Sequence, residues 1–78
     1  MQLSGPKEAK LNEPVLFYGK VTVNSIIDIY SSDIKETTTY PYKGLFYVNL
    51  FFTNVGTYEI HATLAGIHES NEIWIDIS

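Results

Sequence analysis

The sequence predicts an all-β protein, an antiparallel β-sandwich of about seven strands, and three observations carry that expectation. Apolar residues recur at every second position along several stretches, the period of a strand with one buried face. Six tyrosines, four phenylalanines and one tryptophan, with Val, Ile and Thr throughout, suit a pleated half-buried surface, and no stretch shows a helical period. Turn signals rich in Gly, Pro, Asn and Asp separate the stretches at the spacing of about 8 to 12 residues that such folds use.

Residues 6–11 supply a short first edge strand, closed by the turn Asn12-Glu13-Pro14. In the second strand Val15, Phe17, Gly19, Val21 and Val23 fall on one face, and Leu16, Tyr18, Lys20 and Thr22 on the other. A glycine at mid-strand signals a bulge or the close approach of another backbone at Gly19. Residues 26–30 form a third strand with Ile27 and Ile29 inward. Asp28 and Tyr30 then point outward, since an unpaired buried carboxylate is costly. Residues 31–43 are polar and Thr-rich, a loop plus a short edge strand, with Tyr40-Pro41-Tyr42 held extended by proline.

Lys43-Gly44 turns the chain into residues 45–53, where Phe46, Val48, Leu50 and Phe52 alternate with Leu45, Tyr47, Asn49 and Phe51. Next, Tyr58, Ile60, Ala62 and Leu64 face inward against Glu59, His61 and Thr63. After a turn at Ala65-Gly66, Ile73, Ile75 and Ile77 define the inside of the last strand, and Glu72, Trp74 and Asp76 its outside.

At 78 residues the chain is one domain, 1–78, which removes only about 60% of its surface from water on folding. Five lysines and no arginine stand against nine acidic residues, a net charge of -4, which opposes binding to nucleic acid or to anionic membranes. Without cysteine there is neither a disulfide nor a thiolate metal site. No apolar run approaches the ~20 residues of a membrane span, and Met1-Gln2-Leu3-Ser4-Gly5-Pro6 is no signal peptide. The chain is therefore expected either in the cytoplasm or as a piece of a longer protein, the latter consistent with a final strand that runs to Ser78.

A closed barrel would share these strand features, and Asn54-Val55-Gly56-Thr57-Tyr58 is the marker against it. A tyrosine opening the penultimate strand can hydrogen-bond back to the preceding turn, a tyrosine corner, so Gly56 and Tyr58 define the fold. With the stretches Pro14-Val15-Leu16-Phe17-Tyr18-Gly19-Lys20-Val21, Gly44-Leu45-Phe46, Gly56-Thr57-Tyr58-Glu59-Ile60-His61-Ala62 and Ser70-Asn71-Glu72-Ile73-Trp74-Ile75-Asp76-Ile77, the chain resembles immunoglobulin-like modules of bacterial and archaeal surface proteins almost end to end. It departs from the antibody pattern: Ile60 stands two residues after the tyrosine where a cysteine would be, and Ile29 replaces the third-strand tryptophan. The resemblance implies an immunoglobulin-like β-sandwich, secreted or on a cell surface, that acts as a spacer or adhesion-type module with neighbouring domains or another protein as partners.

Nothing in the sequence assembles catalytic machinery. His61 and His68 are the only ordinary bases, and neither sits in a recognisable motif. Asp28, Glu59, Glu72 and Asp76 share outward positions, as expected of the solvated side of a sandwich and of charges that deter edge pairing. The same oxygens could attract calcium, but they lack the dense aspartate run of a calcium loop, so no metal, cofactor or catalytic residue is expected.

What remains is outward-facing. Pairing of the last two strands would set Trp74 beside His61, with Tyr30 and Asp28 on the next strand, a surface for a protein partner or, on a second reading, a stacked glycan. Leu45, Tyr47 and Phe51 on the opposite sheet form an expected interface, and a third reading makes the chain a subunit of a self-assembling filament or lattice.

Overall fold

In a computed structural model covering residues 1–78, the alternating stretches resolve into nine strands. They are β1 (Gln2–Ser4), β2 (Glu8–Ala9), β3 (Val15–Lys20), β4 (Ile27–Ser31), β5 (Ile34–Thr39), β6 (Leu45–Leu50), β7 (Gly56–Leu64), β8 (His68–Glu69) and β9 (Ile73–Ile77). Three of them make one sheet in the order β1-β3-β6. The other sheet runs β2-β9-β7-β4-β5, with β8 paired to β7. The two sheets are separate and face each other across one core, so the chain is a β-sandwich rather than a barrel.

The inward alternation holds on both sheets. Phe17 and Phe46 from the first sheet meet Ile27, Ile29, Ile60 and Ile75 from the second, all fully buried. Burial of each such side chain stabilises the fold by about 1.5–3 kcal/mol. Gly19 is required by the packing: a Cβ there would lie 2.5 Å from the backbone oxygen of Gln2 and from the Phe46 ring. This is the close approach that a mid-strand glycine signals, without a bulge, because the β3–β6 register is continuous. The tyrosine corner is also present. Tyr58 Oη donates to the backbone oxygen of Asn54 at 2.7 Å, and its ring tilts against Phe52 with centroids 4.8 Å apart.

Four expectations need correction. The first edge strand is two strands on different sheets: β1 pairs antiparallel with β3, and after Gly5-Pro6 the chain crosses over so that β2 pairs parallel with β9. Leu3, outside the predicted strand, is a buried core residue. Its backbone N–H and oxygen are both bonded by the Asn71 side chain, at 2.8 and 3.0 Å, which fixes the start of the chain to the approach of β9. Second, the edge strand expected within residues 31–43 is present as β5, but it is six residues long and follows a tight turn in place of a loop. Third, β3 ends at Lys20, so Val21 is only half-buried and Val23 is exposed. Finally, Ile73 lines the core only in part.

Both hairpin turns that bound this corrected region use left-handed backbone. Ser32 (φ 47°) and Asp33 (φ 69°) join β4 to β5, and Lys43 (φ 52°) and Gly44 (φ 80°) lead into β6. Two consecutive positive φ values match the right-handed strand twist, and Asp is among the few residues with a side chain that tolerates them.

Candidate functional site

The outward face of the larger sheet carries most of the polar side chains of the strands. In the β4–β7 ladder Tyr30 stands opposite His61, and in the β7–β9 ladder Glu59 stands opposite Trp74. Alternation puts all four on the same side, and antiparallel pairing brings His61 one row away from Trp74. The tight Ser32-Asp33 turn closes the end of this ladder: the Ser32 N–H donates to the Glu59 backbone oxygen at 2.8 Å, and the Asp33 carboxylate comes close to the Glu59 and His61 side chains.

A groove results, lined by Ser32, Asp33, Glu59, His61, Glu69, Ser70, Glu72 and Trp74. Four carboxylates and no lysine line it, so it carries a negative potential that favours cationic or hydrogen-bond-donating ligands. Trp74 is its only large apolar wall and is 60% exposed.

His61 is held from two sides. Its Nδ1 lies 2.9 and 3.1 Å from the two carboxylate oxygens of Glu59, and Tyr30 stacks flat on its ring at 5.1 Å with an interplanar angle of 6°. Both His61 and Glu59 are largely buried at the groove floor. Ligand-capable atoms of Asp33, Glu59 and His61 lie within 4.8 Å of one another, a mixed carboxylate and imidazole set. Ser70 is engaged structurally: its hydroxyl accepts from the Ala62 N–H and donates to the Asn71 oxygen, each at 2.8 Å.

Of the four residues that the sequence singles out for this face, the groove brings together Trp74 and His61. Tyr30 contributes as the support behind His61. Asp28 lies outside the groove and is already satisfied: Thr38 Oγ1 donates to it at 2.7 Å and Lys35 Nζ stands at 3.2 Å. The Thr38 bond holds the Asp28 carboxyl below its usual range; burial opposes it, and the Lys35 ammonium adds to the lowering. Sequence reasoning missed Asp33, Ser32 and Glu69. The available signal was Ser32-Asp33 itself, a polar dipeptide between two β-forming runs, which marks a hairpin turn.

On the other sheet Leu45, Tyr47 and Phe51 are exposed as expected, 40, 61 and 62% respectively. Leu16 and Tyr18 of β3 extend them, with Tyr18 directly opposite Tyr47.

The sequence matches no family model and no curated protein. Among solved structures the fold is similar to the CARDB domain of a protein from Pyrococcus furiosus, solved in complex with di-metal ions. The TM-score is 0.72 at 13% identity, covering 97% of this chain and 88% of that one. This chain has the β-sandwich fold of that domain.

Proposed function

We propose that this chain is a non-catalytic structural and interaction module of a secreted or cell-surface protein, and that it engages its partner through the groove beside Trp74. The exposure of Trp74 in an otherwise polar groove carries the reading. A large aromatic left in water beside hydrogen-bonding groups is the usual anchor of a binding site, because a partner that covers it gains apolar contact and polar bonds together. The sandwich supplies the rest, a stiff support that fixes the groove relative to whatever precedes or follows it. The resemblance to surface modules supports the extracellular setting.

Trp74 is the only tryptophan, so its fluorescence reports the groove directly. Titration against soluble polysaccharides and lysine-rich peptides should give a saturable shift with one of them, lost in Trp74→Ala with folding intact. An exposed, quencher-accessible Trp74 that responds to neither class would sink the proposal.

A second reading is favoured by the Asp33, Glu59 and His61 donor set and by the di-metal complex of the structural neighbour. In it these three residues hold a divalent cation in place of the proton between His61 and Glu59. Imidazole with carboxylates suits zinc or manganese better than calcium, which prefers oxygen ligands throughout. Calorimetric titration with zinc, manganese and calcium decides it: heat that vanishes in both His61→Ala and Asp33→Ala supports the cation, and heat unchanged by both refutes it.

A further inference from the structure

We propose that β6 is a pairing edge through which two copies of this chain join as an antiparallel dimer, extending the three-stranded sheet to six strands. This inference stands apart from the Trp74 groove, which lies on the other sheet. The first observation is topological. Of the named strands β6 pairs with β3 alone; on its far side Leu45 is bridged to Tyr42 by two backbone bonds of 2.8 and 3.1 Å, and beyond that bridge the outward backbone groups of Tyr47 and Asn49 bond no strand.

The second observation is the lack of protection. Residues 45–53, Leu45-Phe46-Tyr47-Val48-Asn49-Leu50-Phe51-Phe52-Thr53, contain no charge, no proline and no glycine. Proteins usually blunt an exposed edge with charges, proline or a bulge, and an unblunted apolar edge is a template for another strand. The other long edge of the molecule, β5, has such devices. Lys35 and Glu36 lie within it, and its ladder with β4 shifts register between Ile29 and Tyr30. On β1 the Leu3 backbone groups are already bonded by the Asn71 side chain, and β2 is only two residues long.

Self-pairing suits β6 better than pairing with an arbitrary strand. A twofold axis through an antiparallel pair of identical strands always matches outward residues with outward ones. Phe46, Val48 and Leu50 therefore stay toward the two cores while Leu45, Tyr47 and Asn49 share one outer surface. Charge is compatible as well: none of the nine acidic residues lies on β1, β3 or β6, where Lys20 is the one charged residue, so two copies of net charge -4 meet away from their carboxylates. The buried area sets the strength. Aromatic side chains bury about 150–250 Å² each, so the exposed parts of Tyr47 and Phe51 amount to roughly 200–300 Å² per copy. With the paired backbone this gives a small interface, below about 1,200 Å², and a weak, reversible dimer. Pairing uses up the edge, so association stops at two.

Sedimentation equilibrium from about 10 µM to about 1 mM, the range in which weak complexes form, tests this. The mean mass should rise from 8.8 kDa toward twice that value and no further. Tyr47→Lys and Asn49→Lys, both outward on the edge strand, should lower the association constant at least about tenfold with circular dichroism unchanged. Tyr18→Lys, one strand inward on the same face, should leave it within about twofold. Amide exchange on the unmodified chain gives a readout free of variants: the amides of Tyr47 and Asn49, on the far side of β6, should gain protection with concentration. A monomer across the range, growth beyond two copies, or equal sensitivity to Tyr18→Lys, which would mean face-to-face packing, each overturns the proposal.

Discussion

On the outside of the β1-β3-β6 sheet stand Leu16, Tyr18, Leu45 and Tyr47; on the outside of the larger sheet stand Asp28, Glu59, His61 and Asp76. The inward rows behind them are alike, aromatic and aliphatic side chains buried on both sheets. The difference arises because a strand assigns only alternate residues to the core, which leaves the remaining positions free to carry unrelated chemistry. Stability therefore resides in the shared interior, while the two outer faces differ, one with an acidic groove and the other with exposed apolar side chains.

That division can be broken first at the interior. Phe17→Ala on one sheet and Ile75→Ala on the other should each cost about 3–4 kcal/mol, as buried large-to-small substitutions do, read from urea midpoints. A small loss on either side would show that the two sheets do not share one core. Next comes Gly19→Ala, where the new methyl group would meet the Gln2 backbone and the Phe46 ring. Overpacking of this kind should cost about 2–3 kcal/mol, and a neutral result would mean that β1 can lift away from β3 freely. Tyr58→Phe removes one hydrogen bond to Asn54 and should cost about 1 kcal/mol, measured by thermal unfolding.

A smaller effect separates the acidic face from the apolar one. The Asp28 carboxyl has a lowered pKa in the folded state, so the unfolded chain takes up its proton first as pH falls. Its contribution is complete well above the unperturbed value of 3.8 and is lost as pH drops from there through the lowered folded value. Asp28→Asn should consequently flatten the acid limb of stability below about pH 4 and change nothing in its slope near neutrality. The smallest effects belong to the outward aromatics. Trp74→Ala and Tyr47→Ser should each shift stability by no more than about 0.5 kcal/mol while abolishing their respective contacts, and a large shift in either would place that residue in the fold instead of on a surface.

Where one side of a strand is buried and the other wet, the sequence was sufficient. The parity of β3, β4, β6, β7 and β9, the Tyr58 corner and the outward position of Trp74 all follow from alternation and one turn motif. β5 was harder because Ile34, Lys35, Glu36 and Thr38 are all exposed and only Thr37 and Thr39 are partly covered, leaving no alternation to detect. The split of the first strand depends on which distant strand each half pairs with, a tertiary choice that a three-residue and a two-residue segment cannot encode by period. The groove was half legible for a related reason. His61, Glu59 and Trp74 lie on regular strands, whereas Asp33 arrives through a left-handed turn that carries no glycine to announce it.

The crossover at Gly5-Pro6 lays β2 alongside β9, in the same direction, next to the end of the chain. Three backbone bonds outside the regular ladder join the two segments: Asp76 N–H to the Lys7 oxygen at 2.9 Å, Ser78 N–H to the Ala9 oxygen at 3.1 Å, and Leu11 N–H to the Ser78 oxygen at 3.0 Å. Because the strands are parallel, tension reaching β2 from its start and β9 from its finish drags them lengthwise past each other. The bonds are then strained all at once and not peeled singly, so this short clasp is where the module would bear load when pulled from its ends.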